Sequence, residues 1–431
     1  MISAREYTMR LKTVFTWLAF AAFIAATAAL TAQTAKPRTA VSSKALLPPE
    51  RVERIDRALQ RYVDENRIGG AVALVLRDGQ PVYERAVGWS DKEAGRRMTT
   101  DTIFRIASQT KAITSTAILS LVEEGKLTLT DPVSRVLPQF AKTTVASGGS
   151  IVPAKRAITI RDLLTHTAGI SYGTEPAIAS QYEAKGLGPA AGLGWYTADK
   201  DEPVCATMER LATLPFIAQP GEQWVYGYNT DILGCVVERA SGMSLDAFFK
   251  TRITDPLRMT DTQFFLPAAQ RNRLAAVYAS GDDALIRRAP DGPRGQGNYV
   301  DGPRRSFSGG AGLLSTARDY GRFLEMIRRG GELDGVRILA PRTVRLMTTN
   351  QVGTLHSATG LGFGLGFETT DRYGANGMDS EGAFGWGGAY GSVYRVDPEA
   401  KLVMVLMIQL LPNTTDIRTV FPTLVYQALD R

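Results

Sequence analysis

Histidine and cysteine are scarce in this chain: 431 residues carry two histidines, His166 and His356, and two cysteines, Cys205 and Cys235. No C-x-x-C or similar spacing occurs, which removes the usual cysteine-based metal sites. The two cysteines either pair, if the chain reaches an oxidising compartment, or pack as small buried hydrophobes. A Ser-His-Asp triad would have to draw on one of only two histidines, and no G-x-S-x-G elbow is present. His356 sits in a polar loop with no readable partner. There is also no long basic run. The net charge of +7 is scattered, with only short clusters at Arg304-Arg305 and Arg328-Arg329, so nucleic-acid binding gains no support. Internal repeats and low-complexity tracts are absent, and after the first 35 residues no stretch is apolar enough to span a bilayer.

What is present begins with a targeting pattern. Arg5, Arg10 and Lys12 precede an uncharged apolar run from Val14 to Leu30, followed by small residues at Thr27, Ala29, Ala32 and Ala35. This reads as an export signal over 1–35, then a polar linker over 36–47, with a periplasmic or secreted mature protein from 48 to 431. The alternative is an uncleaved anchor, because the run approaches the roughly 18 residues of a membrane span. No cysteine stands near the cleavage positions, which argues against a lipoprotein.

The full sequence is 44% hydrophobic and 22% charged, enough for a sizeable core. Pro48–Arg67 has a helical pattern, with Val52, Ile55, Leu59, Tyr62 and Val63 on one face. Two strand-like runs, Ala71–Arg77 and Val82–Val87, flank the turn signal Asp78-Gly79-Gln80-Pro81. Helical patterns follow at Ser108–Glu124, Ile160–Leu164, Met208–Leu214 and Leu233–Ala240. Long loops at 186–203 and 281–310 are expected to shape a pocket. Strands return at Ser392–Val396 and Leu402–Leu410, and a helix closes the chain from about Phe421 to Leu429. The expectation is an α+β fold. Its N- and C-terminal segments (about 48–107 and 300–431) build one antiparallel sheet flanked by helices, and a mainly helical domain (about 108–299) is inserted between them, with the ligand groove at the junction.

Three stretches carry possible chemistry. Ser108-Gln109-Thr110-Lys111 is the only S-x-x-K in the chain. Three residues apart on a helix, the hydroxyl and the amine share a face, and a helix start adds N–H groups and positive potential. Ser–Lys pairs are a known activated nucleophile. An amine accepts a proton only in its neutral form, which burial favours. Read blandly, Ser108 is a helix cap and Lys111 a solvated charge. Trp224-Val225-Tyr226-Gly227-Tyr228-Asn229 could place a tyrosine beside that pair, or could be an aromatic core cluster. Phe384-Gly385-Trp386-Gly387-Gly388-Ala389 could bring a strand backbone close to a ligand, or could be a glycine-rich bulge.

Taken together with ordered stretches elsewhere, the chain resembles the beta-lactamase-related serine hydrolases: class C beta-lactamases, D-alanyl-D-alanine peptidases and family VIII carboxylesterases. The resemblance runs from about Pro48 to the C-terminus. It rests on Phe104-Arg105-Ile106-Ala107-Ser108, Leu163-Leu164-Thr165-His166-Thr167-Ala168-Gly169, Pro220-Gly221, Pro256-Leu257-Arg258-Met259-Thr260-Asp261-Thr262, Gly310-Ala311-Gly312-Leu313-Leu314-Ser315-Thr316 and Gly362-Phe363-Gly364-Leu365-Gly366-Phe367. It implies that Ser108 is the nucleophile, Lys111 its partner and Tyr226 the tyrosine of the Y-x-N element. Tyr228 then occupies the third position of that element in place of asparagine, next to substrate. Trp386-Gly387-Gly388 occupies the K-T-G position on the substrate side, and the N–H groups of Ser108 and Ala389 form the oxyanion hole. His166 falls in a structural turn. Neither metal nor organic cofactor is implied.

Trp386 where the family has a lysine removes a cation that would pair with a beta-lactam carboxylate. W-G-G at this place is frequent in the family VIII esterases, so the resemblance points to ester hydrolysis through a Ser108 acyl-enzyme. The rival readings are a class C-type beta-lactamase or D-alanyl-D-alanine peptidase, and a catalytically idle envelope-binding protein. The expected partner is a small ester or beta-lactam-like molecule. Nothing in the sequence fixes the natural substrate or the oligomeric state.

Overall fold

The computed structural model describes residues 47–187, 198–292 and 295–429. The expected export signal therefore lies outside the described residues, as do all of the linker but Leu47 and positions 188–197 of the first long loop.

Helix α1 (Pro49–Asp64) begins with Pro49 inside its first turn, where a missing N–H costs nothing. It leads into β1 (Gly70–Arg77) and β2 (Gln80–Asp91), a hairpin closed by Asp78 and Gly79 at positive φ, and then into the short β3 (Arg96–Arg97). After β4 (Phe104–Arg105) the chain becomes helical: α2 (Thr110–Glu123), α3 (Ile160–Leu164), α4 (Val204–Leu211) and α5 (Asn229–Ser241). It returns through β5 (Leu314–Ser315) and α6 (Ala317–Arg328). Next come β6 (Leu361–Phe363), β7 (Glu368–Thr370), β8 (Phe384–Gly387), β9 (Val393–Asp397) and β10 (Leu402–Met407), and α7 (Ile417–Gln427) ends the fold.

Eight strands form one antiparallel sheet in the order β6-β7-β8-β9-β10-β1-β2-β3. The first and last parts of the chain meet at its centre, where β1 pairs with β10 in the register Val72↔Met407 and Leu74↔Val405. Side chains alternate across a strand, and here both faces are buried. Ala71, Ala73, Val75, Leu402, Met404 and Leu406 pack with α1 and α7. Val72, Leu74, Val403, Val405 and Met407 face the larger core with Tyr320, Phe323 and Leu324 of α6. Burial on two sides explains why β1 reads as an unbroken apolar run instead of an alternating one.

Several element boundaries differ from the sequence expectation. The helix expected from Ser108 starts as a 3-10 turn over Ala107–Gln109 before α2 takes over at Thr110. The helix expected at Met208–Leu214 is α4, displaced towards the N-terminus. The closing helix starts at Ile417, carrying Pro422 within it. Part of the loop expected over 281–310 is strand, with Ile286–Arg288 pairing against Tyr278–Ser280; three residues with one aliphatic side chain give no periodic signal. Cys205 of α4 and Cys235 of α5 form a disulfide, which settles the pairing that the sequence left open. Among the described residues no helix is long and apolar enough to cross a membrane.

Candidate active site

Ser108 is held from two directions. The chain enters along β4, which pairs with β5, and the Ile106 N–H donates to the Leu313 carbonyl at 3.1 Å. Ala107 then adopts φ 44°, a left-handed conformation that a non-glycine residue takes only when its surroundings impose it. The Tyr320 hydroxyl donates to the Gln109 carbonyl at 2.8 Å, fixing the turn from α6. One helical turn on, Lys111 is 2% exposed. Its ammonium donates to Ser108 Oγ at 3.4 Å, to the Tyr172 hydroxyl at 3.0 Å and to the Gly310 carbonyl at 2.8 Å. Those three acceptors match the three N–H donors of a lysine. The long contact to Ser108 is of the kind that tightens only when substrate binds. Gly310 is itself tied down, because Asp231 of α5 accepts from its N–H at 3.2 Å.

Tyr226 completes the cluster. Its ring lies 4.6 Å from the Lys111 nitrogen, a cation–π distance, and its hydroxyl accepts from Trp386 Nε1 at 3.2 Å. His166 supports it without sharing the chemistry. The imidazole ring is 4.8 Å from that of Tyr226, Nδ1 meets the Asn229 amide at 3.0 Å, and the His166 carbonyl accepts from the Val225 N–H at 2.7 Å. Burial, followed by the charge of Lys111, drives the His166 pKa well below its ordinary value, so the ring is neutral. At φ 58° it is a turn residue, as the resemblance implied.

The pair opens onto a cavity of about 450 Å³. Ser108, Tyr172 and Tyr226 line it together with Trp386, Gly387, Gly388 and Ala389. Glycine at 388 is a geometric requirement, since a Cβ there would sit 2.6 Å from the Ile106 carbonyl oxygen. Its absence lets the end of β8 close against the segment that carries Ser108. Ser108 and Ala389 thus face one space, the arrangement an oxyanion hole needs.

Tyr228 is a correction. Expected beside substrate, it is fully buried and does not line the cavity. It immediately precedes α5, and its hydroxyl donates to the Leu187 carbonyl at 3.1 Å, while its ring meets Tyr172 edge-on at 4.9 Å. Tyr172 is the residue that sequence reasoning missed. It touches Lys111, lines the cavity, and is held protonated because burial, then neighbouring Tyr226, pushes its pKa well above the ordinary phenol value. A lone tyrosine 61 positions from its lysine partner gives no local signal.

The loop over 281–310 reaches the cluster through Gly310, which accepts from Lys111, but none of its described residues lines the cavity. Asn376–Asp379 and residues of α7 line it as well. A charged network lies there. His356 Nε2 meets Glu368 at 3.1 Å, and Arg395 bridges Glu368 at 3.2 Å and Asp379 at 3.6 Å. Burial alone would raise Glu368, but His356 and Arg395 overcome it and hold the carboxyl below its ordinary range. Asp379 is raised, burial outweighing Arg395.

Comparisons with known proteins identify the family. The beta-lactamase family model matches residues 55–423. Esterase EstB of Burkholderia gladioli is 36% identical over 82% of this chain and 89% of its own length. A lovastatin esterase of Penicillium rubens is 31% identical over 84% of this chain and 94% of its own. The solved structure of EstCE1, described as a hydrolase with promiscuous acyltransferase activity, superposes with a TM-score of 0.76 at 29% identity, covering 88% of this chain and 98% of that one. The chain belongs to the beta-lactamase family and is a serine hydrolase of that fold.

Proposed function

We propose that this protein is a carboxylesterase of the family VIII type, cleaving small acyl esters through an acyl-enzyme at Ser108. The observation that carries the reading is the Lys111 ammonium within reach of Ser108 Oγ, which lines a cavity together with Trp386, Gly387, Gly388 and Ala389. Ser108 Oγ attacks the ester carbonyl carbon as its proton passes to Lys111 Nζ, which acts as base once one of its own protons has left to solvent, with Tyr226 adjoining. The N–H groups of Ser108 and Ala389 hold the oxyanion, a contribution worth about 10²–10³ in rate for one donor. The C–O bond to the alcohol breaks as the alcohol oxygen takes the proton from Lys111 or Tyr226. Water, deprotonated by the same groups, then releases the acid. Trp386 supports esters over beta-lactams: where a lysine would offer a charge to a carboxylate, the indole turns its N–H onto Tyr226.

Hydrolysis of p-nitrophenyl butyrate against nitrocefin, with Ser108→Ala alongside, tests this. The reading predicts ester turnover lost in the variant and nitrocefin turnover slower by orders of magnitude. Fast nitrocefin cleavage without ester cleavage makes the protein a beta-lactamase. No labelling of Ser108 by a fluorophosphonate makes it an idle binding protein. We also read residues 1–35 as a cleaved export signal, a reading supported by their charge and apolar pattern and by the Cys205–Cys235 disulfide, a bond typical of oxidising compartments. N-terminal sequencing of the protein from its native host tests it.

A further inference from the structure

Arg418 lines the same cavity and has no part in the proton transfers above. It stands in the first turn of α7, where the helix dipole disfavours a cation. A second cation, Arg395, lies near it, and although Glu368 and Asp379 line the same cavity, both pair with Arg395 and neither forms an ion pair with Arg418 among the described residues. Its guanidinium instead gathers backbone carbonyls from the turn after β8. Nε donates to Gly391 at 3.1 Å, and Nη2 donates to Ser392 at 3.3 Å and, closer still, to Gly388. Room for this is made by Gly387, where a Cβ would lie 3.1 Å from Nη2 and 3.3 Å from Cζ. The second and third residues of the Trp386-Gly387-Gly388 element therefore serve two close approaches, of Arg418 to the strand and of the strand to Ile106.

The Gly388 carbonyl and the Ala389 N–H belong to one planar peptide group. A cation on that oxygen fixes the plane, and so the direction of the N–H. It also draws electron density through the amide, which makes the N–H a stronger donor. We propose that Arg418 is a positioning residue for the oxyanion hole, aiming and polarising the Gly388–Ala389 peptide from behind. The proposal rests on the acyl-transfer reading of Ser108 and Ala389.

The test compares wild type with Arg418→Met, Arg418→Lys and Arg418→Ala. Each is assayed on neutral and anionic p-nitrophenyl esters, for affinity to an alkyl boronic acid that forms a tetrahedral adduct on Ser108, and for thermal stability. The expected result for Arg418→Met is a kcat lower by about 10–100-fold, somewhat less than deleting an oxyanion donor outright. KM stays within a few-fold on every ester, boronate affinity falls in parallel with kcat, and fluorophosphonate still labels Ser108. Arg418→Lys retains part of the rate, and millimolar guanidinium restores kcat to Arg418→Ala with saturation. Three results overturn the proposal: unchanged kcat in Arg418→Met; a rise in KM confined to anionic esters, which makes Arg418 a substrate-anion contact; or a loss that follows thermal stability and resists guanidinium, which makes it a structural tie. Wild type without Ser108-dependent ester hydrolysis removes the acyl-transfer reading itself, and this proposal with it.

Discussion

The indole N–H of Trp386 donates to the hydroxyl of Tyr226 across 3.2 Å. That bond joins the glycine-lined end of β8 to the segment preceding α5, so the two walls of the cavity meet through it. It fixes the Tyr226 hydroxyl while the tyrosine ring lies 4.6 Å from the Lys111 nitrogen. Replacing Trp386 by Phe keeps most of the ring and removes the donor. A hydrogen bond of this kind is worth about 0.5–1.5 kcal/mol, so kcat on p-nitrophenyl butyrate is expected to fall about 2–10-fold with little change in melting temperature. A wild-type rate in Trp386→Phe would show that the bond has no part in orienting Tyr226.

Lys111 is assigned the role of base, and Lys111→Arg separates that role from its charge. Arginine keeps the cation among Tyr172, Gly310 and Ser108 but stays protonated at any working pH. The expected loss in kcat is about 10²–10⁴-fold, the usual worth of a positioned base. Full-length pH–rate profiles of wild type and variant, with circular dichroism to check the fold, read this out.

Much of this site was legible because its signals are local. Ser108 and Lys111 announce themselves by a spacing of three on a helix, and the hairpin of β1 and β2 by a turn between two β runs. Trp386-Gly387-Gly388 carries its glycines where two backbones must approach. What was not legible depends on partners far apart in the chain. Tyr172 gains its meaning from Lys111, His356 from Glu368, and Arg418 from the peptide of Gly388. Tyr228 misled because motif position says nothing of which way a side chain leaves the residue that precedes α5; it points into the core.

The contrast between the two tyrosines is measurable. Tyr172→Phe removes an acceptor from the buried Lys111 ammonium and is expected to lower kcat about 10-fold or more, since hydrogen bonds to charged groups are worth roughly 1.5–3 kcal/mol. Tyr228→Phe takes a hydroxyl from the Leu187 carbonyl, which costs about 1 kcal/mol of stability and leaves kcat within about 3-fold. Steady-state kinetics and urea unfolding on both variants distinguish them. The reverse ranking would return Tyr228 to the substrate.

Stability carries its own pH signature. Burial pushes the Asp319 carboxyl up to about 6 from an ordinary 3.8, while the Asp261 N–H at 2.7 Å and the Thr262 hydroxyl at 3.1 Å only partly compensate. A carboxyl that holds its proton more tightly folded than unfolded stabilises the fold fully below about pH 4, and that contribution is lost as pH rises through about 6. Relative to Asp319→Asn, wild type should therefore lose roughly 2–3 kcal/mol between pH 4 and pH 7. Urea unfolding of both proteins at the two pH values measures the difference, and a gap independent of pH would contradict the buried proton.

The most direct measurement of the whole account is the mass of the intact protein quenched during turnover of a slow acyl ester, followed by peptide mapping. The account predicts a single added acyl group on the peptide bearing Ser108, appearing and decaying at catalytic rates, and absent from Ser108→Ala. An adduct on another residue, or undiminished hydrolysis by Ser108→Ala, would contradict it.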